Sequence, residues 1–243
     1  MAASAQVPGF TPSANALRFT NSFPHEPDVQ INLGRAGTVG IGDASRGLCG
    51  GMVFAVRDLF EAHALPPHET DPPHRDNPLF GFLVRRLIDS FNLPLGVVQY
   101  YRWMATPGHD MGIGSLTRHG VSRMTINDNW PQVRADIDAG HPSPLGLVTV
   151  ASLNPGDLGK NHQVLAYAYQ LSDSAELTLS VYDPNTGADD DVRMSLKLSN
   201  PARETPISHN INIAEPVRGF FRVRYRPADV AAFASAADDE PVA

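Results

Sequence analysis

The chain has 243 residues, 42% hydrophobic and 19% charged, which is globular composition with ample length to bury a core in one large domain or two small ones. A formal net charge of -7 offers no basic field to nucleic acid, and a single cysteine excludes both an internal disulfide and a cysteine-rich zinc site. No basic start followed by an apolar stretch opens the sequence, and no run reaches the roughly 20 apolar residues of a membrane helix, so a cytoplasmic protein is the default expectation, with leaderless export as the alternative.

Residues 1 to about 28 are small, polar and proline-containing, and are expected to form a flexible N-terminal arm. Val29 to Leu33 alternates as a short strand, and Gly34 to Gly47 is glycine-rich and loop-like. Leu48 to about His63 reads as a helix apolar nearly all round, hence buried. A proline-rich loop, Pro66 to Pro78, ends at Asn77-Pro78, a cap and first-turn pair that starts a helix running to about Phe91. Within it, Arg85-Arg86 reads as a solvated face. Val97 to Met104 is a third helical piece, while Thr106 to Gly120 is glycine-punctuated and fits no single element.

Asp128-Asn129-Trp130-Pro131 is expected to open a helix over Gln132 to Ala139, stopped by Gly140. The pattern then changes to strands: Leu145 to Val150, His162 to Gln170, Glu176 to Asp183, Val192 to Leu198, Asn210 to Ile213 and Gly219 to Tyr225, separated by turn residues. Pro227 to Ala243 is Ala/Asp-rich and is expected to be a mobile tail, which leaves 29–226 as the folded domain. Helices first and antiparallel strands second is an α+β arrangement, with any site where the two halves meet.

Three residues stand out by position. Cys49 lies at the start of the first long helix, where unpaired N–H groups and positive partial charge favour a thiolate. Gly50 and Gly51 beside it permit close approach of a backbone or a substrate. His162 opens a strand on which Val164, Ala166 and Ala168 are expected to share its face. Asp183 ends the next strand on the face of Leu177, Leu179 and Val181, where a carboxylate needs a partner; an imidazole N–H is a suitable one. Asn185 is the rival partner, and an Asx-type turn over Asp183 to Gly187 is the plain structural alternative.

In order and context, these segments resemble the papain-like cysteine peptidase superfamily, and more closely its C39-like branch. The resemblance covers about Gly42 to Leu198 and rests on Leu48-Cys49-Gly50-Gly51-Met52, on Trp130 to Val150, on Asn161-His162-Gln163-Val164-Leu165-Ala166-Tyr167 and on Val181-Tyr182-Asp183-Pro184-Asn185. It implies a helical half packed on an antiparallel sheet, a peptide or other amide as substrate, and a cysteine hydrolase with Cys49 as nucleophile, His162 as base and acid, and Asp183 as the orienting group. The chain departs from the pattern at Asp43, where such families place an oxyanion-stabilising glutamine. Ser45, Asn161 or a loop amide is then the expected second donor beside the Cys49 N–H. Two other outcomes are compatible with the resemblance: a degenerate site kept for binding, and acyl transfer in place of hydrolysis.

No cofactor or metal is expected. His63, His68 and His74, with Glu69, Asp71 and Asp76, lack metal-ligand spacing and read as a solvated loop. The glycines of Gly112-Ile113-Gly114-Ser115 lack the fingerprint of a phosphate loop. Tyr100, Tyr101 and Trp103 read as core aromatics in preference to a substrate groove.

Overall fold

The computed structural model describes residues 2–23, 29–32, 38–41, 48–92, 95–113 and 116–231. In chain order the elements are β1 (Ala3–Gln6), α1 (Pro12–Asn15), β2 (Val29–Asn32), β3 (Thr38–Ile41), α2 (Cys49–Glu61), α3 (Pro78–Ser90), α4 (Leu95–Met104), β4 (Met111–Ile113), β5 (Leu116–Arg118) and α5 (Val121–Arg123). A π-helical turn (Met124–Asn129) leads into α6 (Trp130–Asp138) and then β6 (Ser143–Val148), a 3-10 helix (Pro155–Lys160), β7 (His162–Leu171), β8 (Glu176–Tyr182), β9 (Arg193–Lys197), β10 (Ser208–His209) and β11 (Gly219–Arg222).

One antiparallel sheet runs in the order β10-β9-β8-β7-β6-β11. The ten-residue β7 is its longest strand, and it needs two partners on one side: β6 pairs with residues 162–166 and β1 with residues 168–171. The fold is thus α+β, with helices and an antiparallel sheet sharing one apolar core.

The N-terminal segment differs from the expected flexible arm. Besides the pairing of β1, Val7, Phe10, Leu17, Phe19 and Phe23 are all buried, and Phe10 packs edge-on to Phe60 of α2. Four phenylalanines and leucines spaced among small residues carry little periodicity, yet each finds a place in the core. The opposite terminus is held similarly: Ala228 N donates to Asp58 Oδ1 at 3.0 Å and Val230 is buried, so the expected mobile tail is anchored at least to there.

Further elements depart from expectation. Part of the Gly34–Gly47 stretch is β3, paired antiparallel to β2, and the 106–120 stretch contains the β4–β5 hairpin. The helix expected to open at Asp128-Asn129-Trp130-Pro131 is α6, but helical backbone from Val121 already leads into it. A π turn, closed by Trp130 N to Thr125 O, accommodates Pro131, which has no N–H to give an unbroken ladder. Its side chains cover a sheet edge: Phe220 N donates to Thr125 Oγ1 and Arg222 N to Asn129 Oδ1. The expected strand Asn210–Ile213 is displaced to Ser208–His209.

Other boundaries match. Asn77 Oδ1 accepts from Leu79 N at 2.8 Å as the cap of α3, and Gly140, at φ 84°, ends α6. Arg86 is not on a solvated face. It is 3% exposed and grips Asp58 of α2 through Nε (2.6 Å) and Nη2 (3.1 Å), while Tyr225 Oη donates to the same carboxylate at 2.6 Å. Burial pushes the Asp58 carboxyl up, and this outweighs the opposing hydrogen bonds from Tyr225 and Arg86.

Candidate active site

Cys49 is the first residue of α2 and is 7% exposed. Leu48 at the cap position has no side-chain oxygen, so it leaves the first-turn N–H groups uncapped by its own side chain. Two glycines follow, each costing about 1 kcal/mol in a helix relative to alanine, and the packing requires them. A Cβ on Gly51 would stand 2.1 Å from the carbonyl oxygen of Leu83 in α3; one on Gly50 would stand 2.3 Å from Ser90 Oγ and 2.8 Å from Gln163 Nε2. These glycines therefore admit α3 and the sheet beneath Cys49.

His162 begins β7 and is 6% exposed. Its Nε2 lies 2.7 Å from Asp183 Oδ1, and the Cys49 side chain is near enough to act on the charge of the ring. With Nε2 engaged by the carboxylate, Nδ1 is the nitrogen left for the sulfur. Burial works against a charged ring here, but the negative charge at Cys49 and the hydrogen bond to Asp183 outweigh it, raising His162 to about 10.

Asp183 follows β8 directly and is fully buried. The register pairs Ala166 with Val181 and Leu165 with Tyr182, which carries Asp183 opposite Val164 and diagonal to His162 on one face, within reach of a histidine. Beyond Ala166 a bulge at Tyr167 shifts the phase, so Tyr169 and Leu171, opposite Leu179 and Leu177, continue that face. Ala168 belongs to the other side, contrary to simple alternation.

Asp183 accepts from Asn185 N at 3.0 Å on Oδ1 and from Asn212 N at 2.9 Å on Oδ2. Burial pulls this carboxyl up, but the hydrogen bond and charge of His162 and the two backbone amides outweigh it and hold it below the usual range. The Asx turn and the histidine partner are the same group: one carboxylate shapes its own turn and orients the ring.

The other expected site residues fall elsewhere. Asn185 does not reach His162 as the ring's partner. Its side chain donates to Asn212 O at 2.9 Å and accepts from Asn21 Nδ2 at 3.3 Å, so it braces the Asp183 turn against the N-terminal segment. Asn161 does not offer a free donor: Nδ2 gives to Leu158 O at 3.0 Å and Met104 Sδ at 3.2 Å, while Oδ1 takes Thr149 N at 3.2 Å. It ties the ends of the loop that leads into His162. Asp43 and Ser45 lie outside the described residues.

Sequence reasoning passed over Asn212, Asn21 and Gln163. Asn212 lies in a stretch that reads as strand, Asn21 in one that reads as a free arm, and only the register could have turned Gln163 toward α2. Tyr100 and Trp103 are buried against Phe221, as core aromatics. Among the described residues, no three His, Cys, Asp or Glu side chains converge as a metal-binding group, and no helix is long and apolar enough to cross a membrane. No family model matches the chain, and neither does any curated protein or solved structure.

Proposed function

We propose that this chain is a papain-like cysteine hydrolase that cleaves a peptide or other amide bond. The observation that carries the reading is the meeting of Cys49, His162 and Asp183, from one helix start and two strand ends, in a chain with no other cysteine. Cys49 supplies the sulfur at the positive end of α2. The raised His162 holds a proton beside the sulfur, the positive neighbour that a thiolate nucleophile requires. Attack on the substrate carbonyl makes a C–S bond and a tetrahedral oxyanion, toward which the Cys49 N–H is one donor. His162 then gives its proton to the departing amine, leaving a thioester. Neutral His162 next draws a proton from water as the hydroxyl adds to the acyl carbon, and collapse returns the carboxylic acid and the sulfur. Asp183 holds the ring and balances its charge.

Incubation with a fluorogenic peptide library tests this. Cleavage that alkylation of Cys49 abolishes supports it; absence of turnover together with an ordinary alkylation profile sinks it. Transfer of the acyl group to an added amine would redirect the reading to an acyltransferase of the same fold. Asp43 in place of the expected glutamine favours a second reading, a binding protein on the same scaffold; retention of the biological effect by Cys49→Ala would select it.

A further inference from the structure

Gln163 follows His162 in β7, and its side chain reaches Gly50, the residue after Cys49. A carbon added to Gly50 would stand 2.8 Å from Gln163 Nε2 and 3.0 Å from its Cδ. The same carbon would stand 2.3 Å from Ser90 Oγ, at the last residue of α3. Gln163 Nε2 donates to that Ser90 Oγ at 3.2 Å, and Ser90 Oγ donates in turn to Leu87 O at 2.8 Å. The amide also lies near enough to the buried Tyr100 hydroxyl to act on it. One buried side chain thus runs from the start of β7 to the start of α2 and the end of α3.

Packing alone does not account for a glutamine here. Its Oε1 is buried with no hydrogen-bond partner, which is destabilising. A methionine has the same length and would fill the space without that lone oxygen. What the amide offers and a thioether does not is a directed contact, a planar group whose hydrogen bond fixes distance and angle. We propose that Gln163 is a positioning residue for amide hydrolysis: bonded to Ser90 and packed on Gly50, it holds the start of α2 at a set distance from the start of β7. This assignment rests on the reading of Cys49 as nucleophile and His162 as base. Each of those is the chain neighbour of a residue in this contact, so slack in it passes directly to the sulfur and the ring. A misplacement of about 1 Å between reacting groups can lower the rate about 10²-fold.

The test is steady-state hydrolysis by the full chain of the best peptide from a fluorogenic library, beside a thermal melt. Gln163→Met removes the hydrogen bond and the lone oxygen together. It is expected to lower kcat about tenfold with KM changed by less than about twofold. The melting temperature should move by no more than a few degrees, since losing the unpaired oxygen offsets losing the bond. Ser90→Ala takes away the partner of Nε2 and should lower kcat about threefold, and the double variant should be no worse than Gln163→Met alone. A wild type that turns over and a Gln163→Met variant with the same kcat overturn the positioning role and leave the hydrolase reading standing. So does a fall in kcat that only accompanies a large fall in melting temperature, the mark of a purely structural amide, and so do additive losses in the double variant. No turnover by the wild type sinks the hydrolase reading, and the role of Gln163 with it. If Gln163→Met does not fold, Ser90→Ala decides, and an unchanged kcat there overturns the proposal.

Discussion

The backbone of Gly51 lies so close to Leu83 that a methyl group could not be placed between them: its carbon would stand 2.1 Å from the Leu83 oxygen and 3.2 Å from Leu87 N. The obstacle is main chain of α3, which cannot swing aside as a side chain can. Gly51→Ala gains up to about 1 kcal/mol of helix propensity, yet it must separate α2 from α3 along a buried interface. The expected net result is a loss of roughly 1–3 kcal/mol, read as a lowered denaturant midpoint at unchanged slope. Because α2 carries Cys49, alkylation by iodoacetamide near neutral pH should slow in the folded variant as well. An unaltered midpoint would mean that the two helices have slack at this crossing.

Removal of single groups from the Cys49, His162 and Asp183 cluster should be far from additive. Each of Cys49→Ala and His162→Ala is expected to bring amide hydrolysis to background, and the double variant should be no worse than either, since the two act as one unit. Asp183→Asn keeps the shape but offers His162 an amide in place of a charge. A fall of roughly 10²–10⁴ in kcat with little change in KM is expected. The comparison needs only a cleavable peptide and steady-state kinetics. Additive losses would indicate three residues that happen to be neighbours.

The pH dependence follows from the two shifted groups. His162 is raised, to about 10, so its contribution to stability is fully present below the unfolded imidazole value near 6.5 and is lost as pH climbs toward about 10. Asp183 is lowered, so its contribution is present above the unfolded carboxylate value near 3.9 and is lost as pH falls through its depressed value. The stability advantage of wild type over Asp183→Asn should therefore be flat between about pH 5 and 7 and shrink on acidification. Hydrolysis should fail above about pH 10, where His162 no longer carries the proton needed by the leaving amine. Equal stabilities of the two proteins at neutral pH would contradict the pairing.

How much of this was legible in the sequence depends on the range of the interaction. The caps of α3 and α6 are local, and Asn77 and Gly140 announce them. The positions of Cys49, His162 and Asp183 were legible because helix starts and strand ends are themselves local, and two-residue alternation places Asp183 on a defined face. What was not legible comes from partners distant in sequence. Arg86 looks solvated until Asp58, Tyr225 and the segment at Ala228 close around it. Asn161 looks like a free amide until Met104 and Leu158 take its protons. The bulge at Tyr167 breaks an alternation that a pattern of Val, Ala and Tyr cannot reveal, since all three suit either face of a covered strand. Phe10, Phe19 and Phe23 carry no period at all, and only partners distant in sequence give them a place: Phe60 of α2 and Tyr167 for Phe10, and Phe80 of α3 for Phe23, on which Phe19 packs in turn.

The charged grip of Arg86 on Asp58 is buried on both sides, and removing Asp58 leaves the buried guanidinium with only the half-exposed Asp89 carboxylate and the Arg226 carbonyl as partners. Asp58→Ala should therefore cost about 3–5 kcal/mol, far more than the loss of an exposed pair such as Arg134 with Asp138, worth about 0–1 kcal/mol. Replacing both Asp58 and Arg86 by apolar residues of similar volume should recover much of the loss, which chemical denaturation of the single and double variants would measure. A single-variant cost no larger than that of the exposed pair would refute the argument.

The N-terminal segment invites a different experiment. β1 supplies the partner that β7 lacks beyond β6, and farther on Asn21 N donates to Pro184 O at 2.8 Å while Asn21 Nδ2 reaches Asn185. The segment thus completes the sheet and also steadies the turn that carries Asp183. If it were a removable leader, trimming it would leave a stable and more active protein. The geometry argues the reverse. Deleting residues 2–23 strips Val7, Phe10, Leu17, Phe19 and Phe23 from the core, each worth about 1.5–3 kcal/mol of burial, and the product should not fold cooperatively. The gentler change Asn21→Ala keeps the sheet whole and tests the second role alone. It should lower kcat severalfold through a less fixed Asp183 while the melting temperature moves by only a few degrees, and hydrolysis measured beside a thermal melt separates the two effects. A trimmed chain that stays folded and cleaves faster would overturn this account.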